Sequence, residues 1–329
     1  MDPSSIANPL PSVPLIDSPF FERLFPFSNP DSETQRIAHD LRENGFAVFD
    51  FPDTDIDRLC REVRTRHAPT EEKLEAWRAG RIDLRNQDAW RIDPNVKRIA
   101  TNSRVLDILE KAYGRPAFAF QTLNIAVGSQ QPAHSDSVHF SSSPDGFMCG
   151  VWLALEDIDA DNGPLIYYPG SHRWPHFGNE HLGINAWHQP KRGAHSGAYR
   201  KLWDDMISLE GAKPQRFAAK KGQAIIWHAR LLHGGDKQND PMRSRFSQVT
   251  HYYFRGCCYY TPQDSDPFYG NIFFRQLIDI ASGRQVPNMV SGRKVPFWFL
   301  SQAIYHGPVG WLMLPLSRLK RGAQRLRAR

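Results

Sequence analysis

Five short runs rich in β-branched and aromatic residues constrain the fold of this chain more than any other feature. Gly, Pro, Asn and Asp separate the runs, which cover residues 117–127, 148–155, 165–168, 223–233 and 246–254. Runs of this length, bounded by turn-forming residues, are typical of short β-strands. Asn162-Gly163 adds a strong tight-turn signal between two of them.

The region before these strands has helical character. Ser32 and Gln35 form a capping-box pattern, and Asn44-Gly45 is a typical helix stop. A strand is predicted at 46–51, and further helices are predicted over 56–63 and about 104–112. Helices followed by a series of strands indicate an α+β fold with a mainly β core, in the form of a sandwich or jelly roll.

We interpret the 329 residues as one domain, since this length suffices to bury a large core. Its predicted parts are an irregular arm (1–30), a helical and strand support (31–115), a β core (116–255) and a C-terminal extension with a basic tail (256–329). The core contains a long insertion at 175–215. Insertions of this length often act as lids, which makes candidate substrate contacts of Trp174, Trp187, His188 and Tyr199.

The net charge of +6 is concentrated at the C-terminus. Six Arg and Lys residues and no acidic residue follow Leu316, so the rest of the chain is close to neutral and no nucleic-acid partner is expected. An apolar stretch from Pro296 to Leu316 precedes this tail. Together they predict either a weak peripheral membrane contact or a helical extension packed on the core with a solvated end.

The cysteines and the N-terminus indicate a cytoplasmic location. The cysteines lack zinc-ligand spacing, and free thiols in a reducing compartment are expected of Cys60, Cys149, Cys257 and Cys258. The N-terminus has neither a basic start nor a continuous apolar run, so no secretory signal is expected. No stretch reaches the length of a membrane-spanning helix.

The sharpest chemical signal is His134-Ser135-Asp136. In an extended chain, residues two apart point to the same side, so the imidazole and the carboxylate can face one metal ion. Two imidazoles and one carboxylate on one face leave three coordination positions open, which is the arrangement of non-haem Fe(II) oxygenases. His233, which precedes Gly234, is the predicted third ligand.

His228 competes with His233 for this role, but the two are an odd number of residues apart and should face opposite sides of a strand. His233 is also nearer to Arg245, twelve residues on, which a hairpin can bring into the same pocket. Arginine binds a carboxylate through two parallel hydrogen bonds, so Arg245 is the predicted partner of a 2-oxo acid.

The ordered motifs resemble those of the phytanoyl-CoA dioxygenase family over roughly residues 35–255. They are His134-x-Asp136-x-x-His139-Phe140, Trp152, Asp161-Asn162-Gly163-Pro164, Pro169-Gly170-Ser171-His172, His233-Gly234 and Arg245. The resemblance implies a double-stranded β-helix, or jelly roll, with helices packed outside. It also implies Fe(II) at His134, Asp136 and His233, and 2-oxoglutarate as cosubstrate.

The resemblance further implies a salt bridge from Arg245 to 2-oxoglutarate, and cosubstrate contacts from Trp152, Leu123 and Arg85. Gly235 departs from the family pattern, because relatives often have a serine there that helps to bind 2-oxoglutarate. The implied reaction is hydroxylation of an aliphatic carbon of a small-molecule, lipid or carrier-linked metabolite, with release of succinate and CO2. The intact Asp136 favours hydroxylation, or another outcome of hydrogen abstraction such as desaturation or cyclisation, over halogenation, since halogenating relatives have a small residue at that position.

Several roles stay open from the sequence. His139 is either a substrate contact or a packing residue, and His172 is expected to be structural. His251 is expected at most to contact a metal ligand, without binding the metal itself. Two other functions also remain: a non-catalytic jelly-roll binding protein, and a metal-dependent cupin-like enzyme that does not use 2-oxoglutarate.

Overall fold

A computed structural model of the protein describes residues 8–186, 193 and 196–296. Helices precede most of the strands in this part of the chain. The helices are α1 (Phe21–Leu24), α2 (Ser32–Asn44), α3 (Ile56–His67), α4 (Glu71–Arg78), α5 (Pro94–Ala100), α6 (Ser103–Tyr113) and α7 (Ser196–Leu209). The strands of the main sheets are β1 (Phe46–Asp50), β2 (Arg85–Gln87), β3 (Ala117–Ile125), β4 (Ser141–Ser143), β5 (Met148–Ala154), β6 (Leu165–Tyr167), β7 (Gln215–Phe217), β8 (Gln223–His228), β9 (His233–Gly235), β10 (Ser247–Phe254) and β11 (Cys258–Tyr260).

The sheets are antiparallel. The largest has six strands in the order β1-β8-β5-β10-β3-β2, and a second has three strands in the order β7-β6-β9. Strands β4 and β11 form a two-stranded ribbon. Two short hairpins follow it, made by β12 (Leu277–Ile278) with β13 (Gln285–Val286) and by β14 (Met289–Val290) with β15 (Arg293–Lys294). The mixture of helices and antiparallel sheets confirms the predicted α+β class.

The six-stranded sheet is covered on both faces. In β5, Val151 and Leu153 pack into the cluster that contains the helices, whereas Trp152 packs into the cluster that contains the three-stranded sheet. Alternate residues of a strand point to opposite faces, so one buried strand serves both clusters. The space between the two sheets is where the predicted site residues meet.

Helix α2 begins one residue earlier than the capping-box prediction. The side chain of Asp31, not that of Ser32, accepts a hydrogen bond from the backbone N–H of Thr34 at 2.9 Å. The negative charge of an aspartate at this position also interacts favourably with the positive end of the helix dipole. The predicted stop is confirmed, because Gly45 ends the helix with a φ of 81°.

The predicted strand over 223–233 is wrong as one continuous element. The chain leaves β8 after His228, and β9 begins at His233 in the other sheet. Asn162-Gly163 likewise does not join a hairpin, since β5 and β6 belong to different sheets. The Asn162 side chain instead donates hydrogen bonds to the carbonyl oxygens of Asp157 and Ser244 and ties loops together.

The N-terminal end of the described chain is more regular than the predicted irregular arm. Residues 8–31 contain short helical turns, and Leu15, Ile16, Phe21 and Phe25 are buried in the main core.

The four cysteines are buried free thiols. The apolar stretch after Pro296, the basic tail, and the candidate contacts Trp187 and His188 lie outside the described residues. Among the described helices, none has the length and apolar character needed to cross a membrane.

Candidate metal centre

A pair of backbone hydrogen bonds joins His134 to His233. The N–H of His134 donates to the carbonyl of His233 at 2.9 Å, and the N–H of His233 donates to the carbonyl of His134 at 3.0 Å. Gly234 permits this approach, because a Cβ there would lie 2.6 Å from the carbonyl oxygen of Gln131. The two imidazoles, nearly a hundred residues apart in the sequence, are therefore fixed side by side with ring centroids 4.5 Å apart.

Backbone carbonyls set the orientation of both rings. Nδ1 of His134 lies 3.0 Å from the carbonyl of Pro132, and Nδ1 of His233 lies 3.0 Å from the carbonyl of Leu231. A carbonyl can only accept, so each Nδ1 carries a proton, and Nε2 is the nitrogen with which a neutral ring would bind a metal. Burial lowers the pKa of His134 to about 3. At neutral pH this ring is therefore neutral, as metal binding requires.

The Asp136 carboxylate completes the group. Its Oδ1 lies 3.7 Å from Nε2 of His134, and its Oδ2 lies 3.8 Å from Nε2 of His233. One ligand atom from each of the three residues falls within 4.8 Å of the others. Burial alone would raise the pKa of Asp136, but the neighbouring histidines, His233 foremost, hold this pKa below its ordinary range. The carboxylate is thus ionised and available.

Trp227 was not identified from the sequence, yet it contacts two members of this group. Its indole N–H donates to Oδ2 of Asp136 at 2.8 Å, and its ring lies 4.5 Å from that of His233. Nothing in the local sequence distinguishes this tryptophan from a core residue, because its role depends on strand pairing.

Arg245 lies in the same cavity, buried and without a carboxylate partner among the described residues. Its Nε donates to the carbonyl of Gly163 at 2.9 Å and its Nη1 to the hydroxyl of Ser247 at 3.1 Å. Burial lowers the pKa of Arg245 to about 10, so the guanidinium remains charged at neutral pH. The predicted hairpin from His233 is wrong, since β9 and β10 lie in different sheets. The two residues meet because the sheets face each other.

The cavity has a volume of about 520 Å³ and is lined by all the predicted metal ligands and cosubstrate contacts. Trp152 lies under the Arg245 guanidinium at 5.4 Å, and Leu123 lines the wall. Arg85 lies at the cavity edge, is 44% exposed and pairs with Asp83. Its charge is therefore offset and screened by solvent, unlike that of Arg245.

Ser129 occupies the space left by Gly235. A Cβ at position 235 would lie 2.5 Å from the Ser129 hydroxyl, which borders the same cavity. A hydroxyl group from another segment therefore lies next to the position at which relatives often have a serine. No local sequence pattern indicates this exchange, because the two residues come together only in the folded chain.

Three other histidines considered from the sequence differ in whether they face the centre. His228 faces away from the centre, with Nε2 3.2 Å from the Asp17 carboxylate. His251 and His139 line the cavity, and Nε2 of His251 lies 3.6 Å from Oδ2 of Asp136. Neither Trp174 nor Tyr199 lines this cavity. Tyr199 is instead buried on α7, a helix within the insertion. Its hydroxyl donates a hydrogen bond to Oδ1 of Asn179.

His172 gives the metal-free protein a pH-dependent stability. Its Nε2 faces the carbonyl of Arg42 at 3.1 Å, and its buried Nδ1 has no partner among the described residues. Burial, with a smaller effect of His228, lowers the pKa of His172 to about 4. The unfolded chain, with a histidine pKa of about 6.5, binds this proton more readily. The free energy of unfolding therefore falls as the pH drops from about 6.5 toward 4.

We expect His172 to account for about 2 kcal/mol of the difference in unfolding free energy between pH 7 and pH 5. Urea unfolding of the metal-free protein at both values, for the natural chain and His172→Gln, measures this share. The variant is expected to be less stable at pH 7 but to lose less stability on acidification. An equal loss in both proteins would contradict this assignment.

The donor set fits a divalent metal ion of the non-haem iron type. Two imidazole nitrogens and one ionised carboxylate lie within 4.8 Å of one another, and all three residues line the cavity. A closed structural site would need a fourth protein ligand. None of the described residues adds one to this group. The residues present therefore match an open iron site.

Comparisons with known proteins agree with this geometry. The family model for phytanoyl-CoA dioxygenase (PhyH) matches residues 41–244, more than half of the chain. A phytanoyl-CoA dioxygenase domain-containing protein 1 homolog from Caenorhabditis elegans is 23% identical over 49% of this chain and 54% of its own length. Peroxisomal phytanoyl-CoA dioxygenase from Homo sapiens is 25% identical over 66% of this chain and 67% of its own.

Among solved structures, that of EctD from S. alaskensis in its apoform is similar with a TM-score of 0.50. It is 17% identical, and the match covers 68% of this chain and 77% of that one. At this identity the likeness concerns the fold alone. The chain spans about half the length of the first curated relatives that it matches.

Proposed function

Because the chain belongs to the phytanoyl-CoA dioxygenase family, we propose that it is an Fe(II)- and 2-oxoglutarate-dependent dioxygenase. The proposed reaction is hydroxylation of an aliphatic carbon of a small-molecule, lipid or carrier-linked metabolite, with release of succinate and CO2. The proposed architecture is a jelly roll, in which the six-stranded and three-stranded sheets enclose the site. The sheet arrangement and the likeness to EctD support it.

The observation that carries this proposal is the buried guanidinium of Arg245, which has no carboxylate partner among the described residues and lies in the same cavity as the His-Asp-His group. A buried charge without a counter-ion is costly, so its retention favours a ligand that brings the missing anion. The far carboxylate of 2-oxoglutarate is such an anion, and it suits the planar guanidinium of Arg245. This feature favours a 2-oxoglutarate enzyme over a cupin-like enzyme without that cosubstrate.

Each group in the cavity has a defined task in this proposal. His134, Asp136 and His233 would hold Fe(II), which with 2-oxoglutarate and dioxygen supplies the oxidising chemistry when bound. Arg245 would orient the cosubstrate by its far end, with Trp152 beneath the guanidinium. Apolar walls at Ile125, Leu165 and Val249 would keep water from this part of the cavity.

The substrate would enter on the side of His139, Phe140 and Gln121, which line the same cavity. A second cavity of about 370 Å³ shares Asp83 and Arg85 with the first and offers room for a larger molecule. The proposal therefore includes both small and carrier-linked metabolites.

Membrane contact through the basic tail is a separate hypothesis, testable by liposome co-sedimentation with and without residues 317–329.

A 2-oxoglutarate turnover assay against a metabolite library tests this function. The protein is purified without oxygen, loaded with Fe(II), and succinate formation is followed with and without each candidate substrate. Substrate-dependent succinate formation is the expected result. A protein that binds no Fe(II) and forms no succinate with any compound would instead match a non-catalytic binding protein.

A further inference from the structure

We infer that Trp227 is a positioning residue for the metal centre, acting through its indole N–H on the Asp136 carboxylate. This inference rests on the proposed iron site but concerns a residue that the ligand motif does not include. The hydrogen bond is 2.8 Å long and buried, and it joins residues 91 positions apart in the sequence. A tryptophan that served only to fill the core would not need its nitrogen directed at a metal ligand.

The neighbouring strands place the indole where this bond is possible. Trp227 on β8 and His251 on β10 both pair with Gly150 on the intervening strand β5. Gly150 leaves room for the indole, because a Cβ at this position would lie 2.3 Å from Cε2 of Trp227 and 2.7 Å from its Nε1. Trp227, Gly150 and His251 thus lie side by side on three neighbouring strands, next to Asp136. Nε2 of His251 is 3.6 Å from Oδ2 of Asp136, the oxygen that accepts the indole proton.

The hydrogen bond limits how Asp136 can bind a metal. Oδ2 accepts the indole proton, whereas Oδ1, 3.7 Å from Nε2 of His134, has no indole donor and would be the oxygen more available to an ion. A carboxylate held in this way would bind the ion through one oxygen, which would leave room for the cosubstrate. Without the indole N–H it can rotate and bind through both oxygens, which would take up part of that room. Loss of such outer hydrogen bonds typically lowers metal affinity 10- to 100-fold.

The test compares Trp227→Phe with Trp90→Phe. Phenylalanine keeps an aromatic ring but removes the N–H. Trp90 provides the matched control, since its indole also donates to an aspartate, Asp88, at 3.1 Å, outside the centre. Co(II) affinity is measured by competition with a chromophoric chelator, and the Co(II) absorption spectrum reports the coordination. We expect Trp227→Phe to lower the affinity about 10-fold or more and to change the spectrum, and Trp90→Phe to do neither.

Gly150→Ala provides a second variant that leaves the indole chemically intact. Its methyl group would displace the ring and should reproduce the loss of affinity, and combining it with Trp227→Phe should add little further loss. If the natural chain binds no Co(II) or Fe(II), the proposed function fails. If the natural chain and both folded single variants bind Co(II) with similar affinity and spectrum, the inference about Trp227 fails while the proposed function stands.

Discussion

Replacing Arg245 by methionine is expected to raise the KM for 2-oxoglutarate by roughly 30-fold or more. Removing one partner of a buried, hydrogen-bonded charge pair costs about 2 to 5 kcal/mol of binding free energy. Methionine is long enough to fill much of the space but offers the cosubstrate carboxylate no donor. Succinate formation at increasing 2-oxoglutarate concentrations measures the effect. Metal affinity without 2-oxoglutarate should stay within about twofold, because Arg245 contacts none of the three ligands.

Arg243→Met is the matched control for this experiment. Arg243 is two residues away but pairs with Asp159 on the surface, at 2.7 Å. Its loss should leave the KM for 2-oxoglutarate unchanged. If Arg245→Met also left this KM unchanged, the guanidinium would have another purpose, and an enzyme that does not use 2-oxoglutarate would become the better interpretation.

Asp136→Asn is expected to abolish Fe(II) binding and succinate formation while the metal-free protein stays folded. The amide oxygen of asparagine can accept the Trp227 indole N–H, and its NH2 group can face the histidine lone pairs. The metal-facing oxygen anion is then replaced by a donor. We expect metal affinity to fall by more than about 100-fold. This loss exceeds the one typical of replacing a residue that only hydrogen-bonds a ligand.

Metal content after anaerobic loading and thermal unfolding of the metal-free protein measure the two effects of Asp136→Asn. Asp88→Asn is the control, since Asp88 also accepts an indole N–H, from Trp90. That variant should retain its iron. An Asp136→Asn protein that binds iron as tightly as the natural chain would exclude Asp136 as a ligand.

The sequence predicted the elements whose signals are local. Gly45 ends α2, and α3 covers the helix predicted over 56–63, because capping and helical periodicity act within a few residues. The family resemblance is confirmed by the match over residues 41–244, since the ordered motifs are specific as a set. The start of α2 was predicted one residue late, because the adjacent Asp31 and Ser32 both suit an N-cap and Asp31 takes that position.

The parts of the site that the sequence did not predict depend on pairing between distant strands. His233 was chosen over His228 by assuming one strand through both, whereas the chain leaves β8 after His228. Trp227 beside Asp136, and Ser129 in place of a side chain at Gly235, arise only when segments far apart in the sequence meet. No local pattern encodes such contacts, so neither residue could be assigned a role in advance.

The backbone pairing of His134 with His233 has a consequence for folding. The ligands come from separate segments, and Asp136 is held by a residue of β8, so a high-affinity site exists only after these distant segments have come together. Closing so large a loop is slow and costs chain entropy. An ion that binds the native chain and not its unfolded form shifts the equilibrium toward the native state. Metal occupancy would then report completed folding, and intermediates in which the segments are still apart would remain unmetallated.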